Sequence, residues 1–297
     1  QVLIMRTVTG LLLLVLSLPA LALSIFSCEP EWGALAKELA GEQARIYVAT
    51  TALQDPHRIE ARPSLIARAR SADLVVCAGA ELEASWLPLV LSQSGNARIQ
   101  AGQPGYFEAA AAAELREKPA SLDRAMGDVH AAGNPHLHLD PRNVAKVAAA
   151  LAQRMAEIDP ERRRGYEKRL QDFSTRWQQA VRRWEAQAAP LRGMPVIVQH
   201  RNFSYLVAWL GLREVAALEP KPGLPPGTAH LAEVLERHKR DPAKAVLRAA
   251  YDDPRPSEWL AARAAIRPVV LPYTVGGTPE AKDLFSLYED TLSRLVR

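Results

Sequence analysis

The sequence predicts an α/β fold in which two doubly wound lobes are joined by a single long rigid helix. In both the amino-terminal and the carboxyl-terminal parts, short apolar runs alternate with amphipathic helical stretches, a pattern that favours mainly parallel sheets. Between them lies one helical stretch of about 30 residues, which at ~1.5 Å per residue would reach across a whole domain. Its apolar positions, spaced by three and four, are Tyr166, Leu170, Phe173, Trp177, Val181 and Trp184.

The amino-terminal lobe is predicted to alternate strands and helices from its first apolar run. The strands are 24–28, 45–48, 73–77 and 98–100, and the helices are 32–39, 63–71 and 81–92. Pro63 is compatible with a helix start because proline is tolerated in the first turn. The pattern weakens between Gly102 and Gly133, where we predict a loop with one helical piece at 109–113.

The rest of the chain begins with two helices and then returns to alternation. Asp140 and Pro141 open a helix that runs to about Ile158, and the long helical stretch follows from Pro160 to about Ala188. The later strands are 195–198, 215–218, 245–250 and 268–271, and the later helices are 203–210, 228–238, 257–265 and one from 280. We therefore predict lobes at 23–159 and 191–297 with a linking helix at 160–190.

The first residues have the features of a secretory signal peptide, which we assign to 1–22. Arg6 precedes the apolar run 11–16, and Ala20-Leu21-Ala22 forms a small-x-small cleavage site. A mature chain would start near Leu23 in a bacterial periplasm, and a retained amino-terminal anchor is the alternative. Cys28 does not fit a lipid-attachment site, because bulky Phe26 precedes it and it lies in the predicted first strand.

The charge pattern is that of an ordinary soluble surface. The 297 residues carry a formal net charge of +4 and are 48% hydrophobic. The arginines are interleaved with acids or lie on predicted helices, and no basic cluster is combined with aromatic residues. We expect a monomer that binds no nucleic acid.

Cys28 and Cys77 are the two cysteines of the chain. If their strands are parallel neighbours, the two sulfur atoms lie near the same sheet edge. In an oxidising compartment they would form a disulfide bond. Two buried free thiols are the alternative.

Three histidines in distant segments, His57, His136 and His200, mark a candidate metal site. Each falls where a strand or loop ends and a helix begins, the position at which ligands collect in open α/β sheets. Proline precedes the first two and restricts the backbone there. Neutral imidazole is a common zinc ligand, and three rings leave one tetrahedral position free. A lone histidine would more simply cap a helix start, but three in this arrangement favour zinc.

The remaining histidines are given lesser roles. His138 would point away from His136 on an extended segment, so we expect it to pack and to donate to a carboxylate. For His130 we favour an exposed loop position, with metal capture as the alternative. His230 and His238 lie on a predicted amphipathic helix and are assigned no function.

Four segments together resemble the metal-binding subunit of zinc- and manganese-type ABC importers, and zinc-binding periplasmic proteins in particular. They occur in the family's order and are Asp55-Pro56-His57 with Arg62-Pro63-Ser64, 72–83 with Trp86-Leu87, 133–136 with Leu139-Asp140-Pro141, and 200–206. The resemblance covers essentially everything after the signal peptide. It implies that His57, His136 and His200 hold one Zn²⁺ between the lobes, and that the partner is the membrane permease of an ABC importer.

The fourth ligand departs from the family's pattern. Many members carry an aspartate after the last strand, whereas the run 269–277 holds no carboxylate. The candidates are a water molecule, which we prefer, and the side chains of Tyr273, Asp252 and Asp253. The two aspartates are also explained as a turn and helix cap before Pro254. Three histidines suit zinc better than manganese. The histidine-rich loop of some relatives is absent, since 102–133 contains only His130.

The predicted function is therefore capture of zinc in the periplasm and delivery to a permease, without catalysis. One alternative is a periplasmic zinc chaperone or buffer that serves no transporter. Another is a zinc-dependent hydrolase, because three histidines and a water also describe a catalytic site. The sequence has no His-Glu-x-x-His, nucleophile elbow or glycine-rich phosphate loop to support it, and nothing marks Asp253 or Glu219 as a general base.

Overall fold

The computed structural model describes residues 22–119 and 127–297, and it contains two four-stranded parallel sheets flanked by helices. The predicted fold class, two α/β lobes and one long helix, is confirmed. The predicted signal peptide lies outside the described residues apart from its last residue, Ala22. No helix in the described ranges combines the length and the apolar character that a membrane span requires.

The first sheet has the strand order β2-β1-β3-β4. Its strands are β1 (Leu23–Ser27), β2 (Ala44–Val48), β3 (Leu74–Cys77) and β4 (Tyr106–Glu108). Helices α1 (Pro30–Ala40), α2 (Pro63–Arg70) and α3 (Leu87–Ser94) connect or flank them. The chain passes from β1 to β2 on one side and then crosses to β3 on the other side of β1, so a crevice opens at the carboxyl ends of β1 and β3.

Two predictions in this lobe are wrong. The segment predicted as strand 98–100 overlaps a 3₁₀ turn at Ala97–Ile99, because the side chain of Asn96 accepts the Arg98 N–H and caps it. The edge strand is β4 instead. The helix predicted from 81 begins only at Leu87, since Ala80 and Glu81 have positive φ angles of 51° and 68° that no α-helix can include.

The second sheet repeats the same order as β6-β5-β7-β8. Its strands are β5 (Pro195–Val198), β6 (Arg213–Ala217), β7 (Ala245–Ala249) and β8 (Arg267–Leu271). Its helices are α6 (Ser204–Leu210), α7 (Thr228–Arg240), α8 (Pro254–Ala264) and α9 (Leu284–Val296). Strand β5 therefore occupies the same position in this sheet that β1 occupies in the first sheet.

Helix α4 (Pro141–Ile158) ends the first lobe, and the long helix α5 (Arg163–Ala188) links it to the second. The 26 residues of α5 span about 39 Å. Three of its buried aromatic residues, Phe173, Trp177 and Trp184, pack on α9, where the rings of Trp184 and Tyr288 are stacked with centroids 4.9 Å apart. One apolar cluster contains these residues together with Leu74 of the first sheet and Val196 of the second.

The two cysteines form the predicted disulfide bond. Cys28 directly follows β1 and Cys77 ends β3, and these two strands are parallel neighbours in register. The backbone N–H of Cys28 still donates to Val76. The bond therefore fastens the two central strands at the same edge from which the loops of the site emerge.

Candidate metal centre

His57, His136 and His200 come together between the two lobes. One ring nitrogen from each lies within 4.8 Å of one from each of the others. His136 is 2% exposed and His200 is 8% exposed, and the side chain of His57 is 9% exposed. The sequence placed these residues in one site, and the structure shows that they meet. Their role as metal ligands stays a prediction.

Each of the three rings is held through its Nδ1 atom by an oxygen. The Nδ1 atom of His57 lies 2.8 Å from Asp55 Oδ1, that of His136 lies 2.7 Å from Tyr273 Oη, and that of His200 lies 2.6 Å from Glu219 Oε2. Metal-binding histidines usually bond such a partner through the nitrogen that does not face the metal. All three rings therefore keep Nε2 for a ligand.

Sequence reasoning considered Tyr273 as a metal ligand and Glu219 as a general base, but it missed that these residues and Asp55 hold the histidine rings. Asp55 carried a local signal, since it stands two residues before His57 in an Asp-Pro-His segment. Glu219 and Tyr273 follow strands β6 and β8, so their position at the carboxyl ends of strands was a weaker signal.

The segments of His57 and His136 share one local design. In each, an Asp or Asn precedes proline and its side-chain oxygen accepts the backbone N–H of the histidine two residues on, at 3.0 Å. Asn134, the residue before Pro135, also donates its amide to the backbone carbonyl of Arg201 at 3.1 Å. This bond ties the His136 segment to the His200 segment of the other lobe.

The electrostatic environment differs between the rings. Burial lowers the pKa of His136 well below its ordinary value, so the ring is neutral at pH 7. Burial also acts to lower the pKa of His200, but the hydrogen bond and charge of Glu219 outweigh it and the pKa is raised. Burial would raise the pKa of Asp55, yet its hydrogen bond to His57 prevails and lowers it. The site thus combines a neutral ring with one that holds its proton more strongly.

The side chains proposed as a fourth ligand already have hydrogen-bond or ion-pair partners. Burial raises the pKa of Tyr273 well above its usual value, so its hydroxyl stays protonated beside His136. Asp252 accepts the backbone N–H of Ala249 at 2.7 Å, and burial raises its pKa to about 6. Asp253 caps α8 and pairs with Arg255, which agrees with the turn-and-cap explanation.

His138 takes the predicted packing role. It is 1% exposed, and its Nδ1 atom lies 3.2 Å from Glu31 Oε1. Its Nε2 atom lies 2.9 Å from the backbone oxygen of Tyr273, the residue that also contacts His136. His138 therefore helps to hold Tyr273, which in turn contacts His136.

The expectation that His130 is an exposed loop histidine is wrong. It is half-buried, and its Nε2 atom lies 3.3 Å from the Nε2 atom of His57. Burial, together with the nearby rings of His57 and His200, lowers the pKa of His130 to about 4. The two histidines of α7 lie apart from this cluster: His230 contacts the backbone of Ala217, and His238 accepts the backbone N–H of Ala243.

Two cavities meet at the histidine cluster. One of about 230 Å³ is lined by His130, His136 and His200, and the other, of about 280 Å³, by His57, His200 and Asp252 among others. Both are bordered by segments of the two lobes. The arrangement can hold a small cation on neutral nitrogen ligands and gives it a route to solvent.

Comparison with known proteins gives a consistent picture. The sequence model of the family described as "Zinc-uptake complex component A periplasmic", ZnuA, matches residues 25–297. The chain is 23% identical over 206 residues to the zinc-binding lipoprotein AdcA of Streptococcus pneumoniae R6, which covers 69% of this chain and 40% of that protein. It is 22% identical over 262 residues to the high-affinity zinc uptake system protein ZnuA of Bacillus subtilis, and the match covers 87% of this chain and 80% of that protein.

A third relative, ZnuA of Brucella abortus strain 2308, is 28% identical over 104 residues, or 35% of this chain and 31% of that protein. The chain thus spans less than half the length of the pneumococcal and Brucella relatives it matches.

Among solved structures, a crystal structure of ZnuA has a TM-score of 0.72 at 21% identity and covers 92% of this chain and 99% of that one. The manganese-bound periplasmic metal binding protein of Candidatus Liberibacter asiaticus has a TM-score of 0.75 at 14% identity and covers 92% of this chain and 98% of that one. At these identities the structures show a shared fold. Because the family match extends over nearly all of the described residues, the chain belongs to the ZnuA family of zinc-uptake complex component A proteins.

Proposed function

We propose that this protein captures Zn²⁺ between its lobes on His57, His136 and His200. The observation that carries the proposal is the set of three rings from both lobes, each with Nδ1 held by an oxygen and Nε2 left for a metal. Imidazole nitrogen suits zinc, whereas manganese prefers carboxylate oxygen. The carboxylates of Asp55 and Glu219 orient rings here, which supports zinc as the cargo.

We further propose delivery of the zinc to the membrane permease of an ABC importer. The family is described as a periplasmic component of a zinc-uptake complex, and two relatives are named as zinc uptake proteins. A monomer in the periplasm, with lobes at 23–159 and 191–297 about a linking helix at 160–190, is the form we propose for this task. Zinc on neutral rings can leave when small loop movements separate them.

The two alternatives differ in what happens to the zinc. A chaperone or buffer would use the same site and would be distinguished only by its partner. A hydrolase would need a carboxylate or imidazole free to activate the metal-bound water. Asp55 and Glu219 border the cluster, but both bond a histidine ring, so their geometry favours holding zinc over chemistry.

The first test is the metal content of the mature protein, measured by mass spectrometry after stripping and reloading with zinc in competition with manganese. We expect about one zinc per chain. His136→Ala should weaken zinc binding at least tenfold, because it removes a ligand. His230→Ala is the matched control, because it removes a histidine outside the cluster and should bind zinc as the parent does. Preference for manganese, or no retained zinc, would contradict the proposal.

Function in uptake needs a separate measurement. Zinc-loaded protein supplied to vesicles that contain the permease and its ATPase should support zinc entry, and the His136→Ala variant should not. Zinc binding without any such entry would instead favour the buffer.

A further inference from the structure

The loop histidine His130 contacts His57 at the edge of the proposed zinc site, although it does not belong to the group of ring nitrogens that lie within 4.8 Å of one another. We infer, on the basis of the proposed zinc capture, that His130 supplies the fourth ligand and completes a tetrahedral site of four histidines. The loop would then carry a ligand to the ion, in place of the water molecule that the sequence favoured.

The distance between His57 and His130 is the first support. Two nitrogen ligands of a tetrahedral zinc, each about 2.05 Å from the metal, are separated by about 3.3 Å. The Nε2 atoms of His57 and His130 lie 3.3 Å apart. These two rings therefore already have the spacing of two ligands on one ion.

The other rings require a small movement of the loop. The ring centroid of His130 lies 5.3 Å from that of His57 and 6.4 Å from that of His136. His130 also lines the same cavity as His136 and His200. Because the close group of nitrogens contains only His57, His136 and His200, zinc binding would require the His130 side chain to move toward His136 and His200.

The backbone around His130 is fixed from both lobes. The N–H of Asp128 donates to the carbonyl of Pro222 at 2.9 Å, and the N–H of Ala131 donates to Glu81 Oε2 at 2.6 Å. The carbonyl of His130 itself accepts the N–H of Gly133 at 3.1 Å. A histidine held in this way stays near the cluster instead of sampling solvent.

The turn that receives this loop is strained. Gly79, Ala80 and Glu81 have successive φ angles of 75°, 51° and 68°, which are unfavourable for the last two because they carry a Cβ. The buried carboxylate of Glu83 holds the turn by accepting the N–H groups of Ala78 and Gly79. Strain of this kind persists where surrounding contacts enforce it, and here it presents Glu81 to the backbone beside His130.

The rival side chains are less available. The Tyr273 hydroxyl bonds His136, and Asp252 bonds the backbone of Ala249. His130 has its Nε2 atom turned to His57 instead. The Nε2 atom of His130 is therefore already at ligand spacing from the Nε2 atom of a predicted ligand.

The test is zinc affinity and coordination in the full mature protein carrying His130→Ala. We expect one zinc per chain, bound about ten- to a hundredfold more weakly than in the parent. X-ray absorption of the zinc form should show the outer-shell scattering of four imidazole rings in the parent and of three in the variant. His130→Gln should give the same result, which guards against an effect of the small side chain.

His230→Ala is again the control, and equal melting temperatures without metal would show that the variants are folded. Unchanged affinity and unchanged imidazole scattering in His130→Ala would overturn the inference and leave the proposed function standing. If the parent itself retains no zinc, the proposed function is wrong, and the inference that His130 is the fourth ligand is wrong as well. Weaker binding by Glu81→Ala, with the scattering of four imidazole rings retained, would add that the strained turn positions the loop.

Discussion

Replacing Glu219 by glutamine should change both the strength of zinc binding and its dependence on pH. Glu219 Oε2 lies 2.6 Å from His200 Nδ1 and accepts the Gly223 N–H at 2.7 Å. Glutamine keeps an oxygen acceptor but loses the charge. A hydrogen bond to a charged group contributes roughly 1.5–3 kcal/mol and a neutral one roughly 0.5–1.5 kcal/mol. The difference of about 1.2 kcal/mol between the midpoints corresponds to roughly eightfold weaker zinc binding at pH 8.5.

The pH dependence follows from the sign of the His200 shift. Glu219 raises the pKa of His200 above its ordinary value, so the metal-free site holds a proton that zinc must displace. Below that pKa, the parent should lose about tenfold in affinity for each pH unit. Without the charge of Glu219, burial prevails and lowers the pKa of His200, so the variant should begin this loss at lower pH.

The assay is competition for zinc with a chromogenic chelator between pH 6 and 8.5. The difference in affinity between parent and Glu219→Gln should be largest at high pH and should shrink as the pH falls. Glu214→Gln is the matched control, because Glu214 pairs with Arg201, the neighbour of His200, at 3.2 Å. Parallel affinity curves for Glu219→Gln and the parent would refute the role given to its charge.

Two further predictions concern the amino-terminal lobe. Serine at both Cys28 and Cys77 should lower the free energy of unfolding by about 4 kcal/mol, since the bond closes a loop of 49 residues. Urea unfolding measures this, and two titratable thiols in the untreated parent would show that the bond is absent. Burial raises the pKa of Glu83 to about 7 and raises that of neighbouring Glu29 as well, so the folded chain holds protons that the unfolded chain releases. Stability should therefore fall as the pH rises from about 4.5 to 7, and Glu83→Gln should melt a few degrees above the parent at pH 8 but not at pH 5. An equal gain at both values would mean that the charge is not the cause.

The sequence predicted the parts of the site that depend on local pattern. His57 and His136 follow proline, and His200 follows a short buried strand, so each could be assigned to the end of an element. The oxygen partners of His136 and His200 could not be assigned in this way. Tyr273 and Glu219 lie 137 and 19 residues from the rings they contact, and only the packing of the sheets brings them there.

His130 shows where local reasoning misleads. A polar loop residue is ordinarily exposed, and nothing near His130 in the sequence indicates otherwise. The backbone N–H of the next residue, Ala131, donates to Glu81 in the turn at Gly79, Ala80 and Glu81, where two residues adopt a backbone conformation that their side chains disfavour. Helix α3 begins only after the same turn, so this unfavourable local conformation lies beside both wrong predictions.

The long helix α5 also determines whether the chain can be cut into two stable fragments. Its aromatic residues belong to one apolar cluster that includes strands of both sheets, with Trp177 and Trp184 packed on Phe285 and Tyr288 of α9. Cutting the chain on either side of α5 would leave these rings in water on one fragment and a matching hole in the other. Each lobe also has a smaller apolar cluster of its own, but because the largest cluster is shared, we expect the two sheets to unfold together in one cooperative transition.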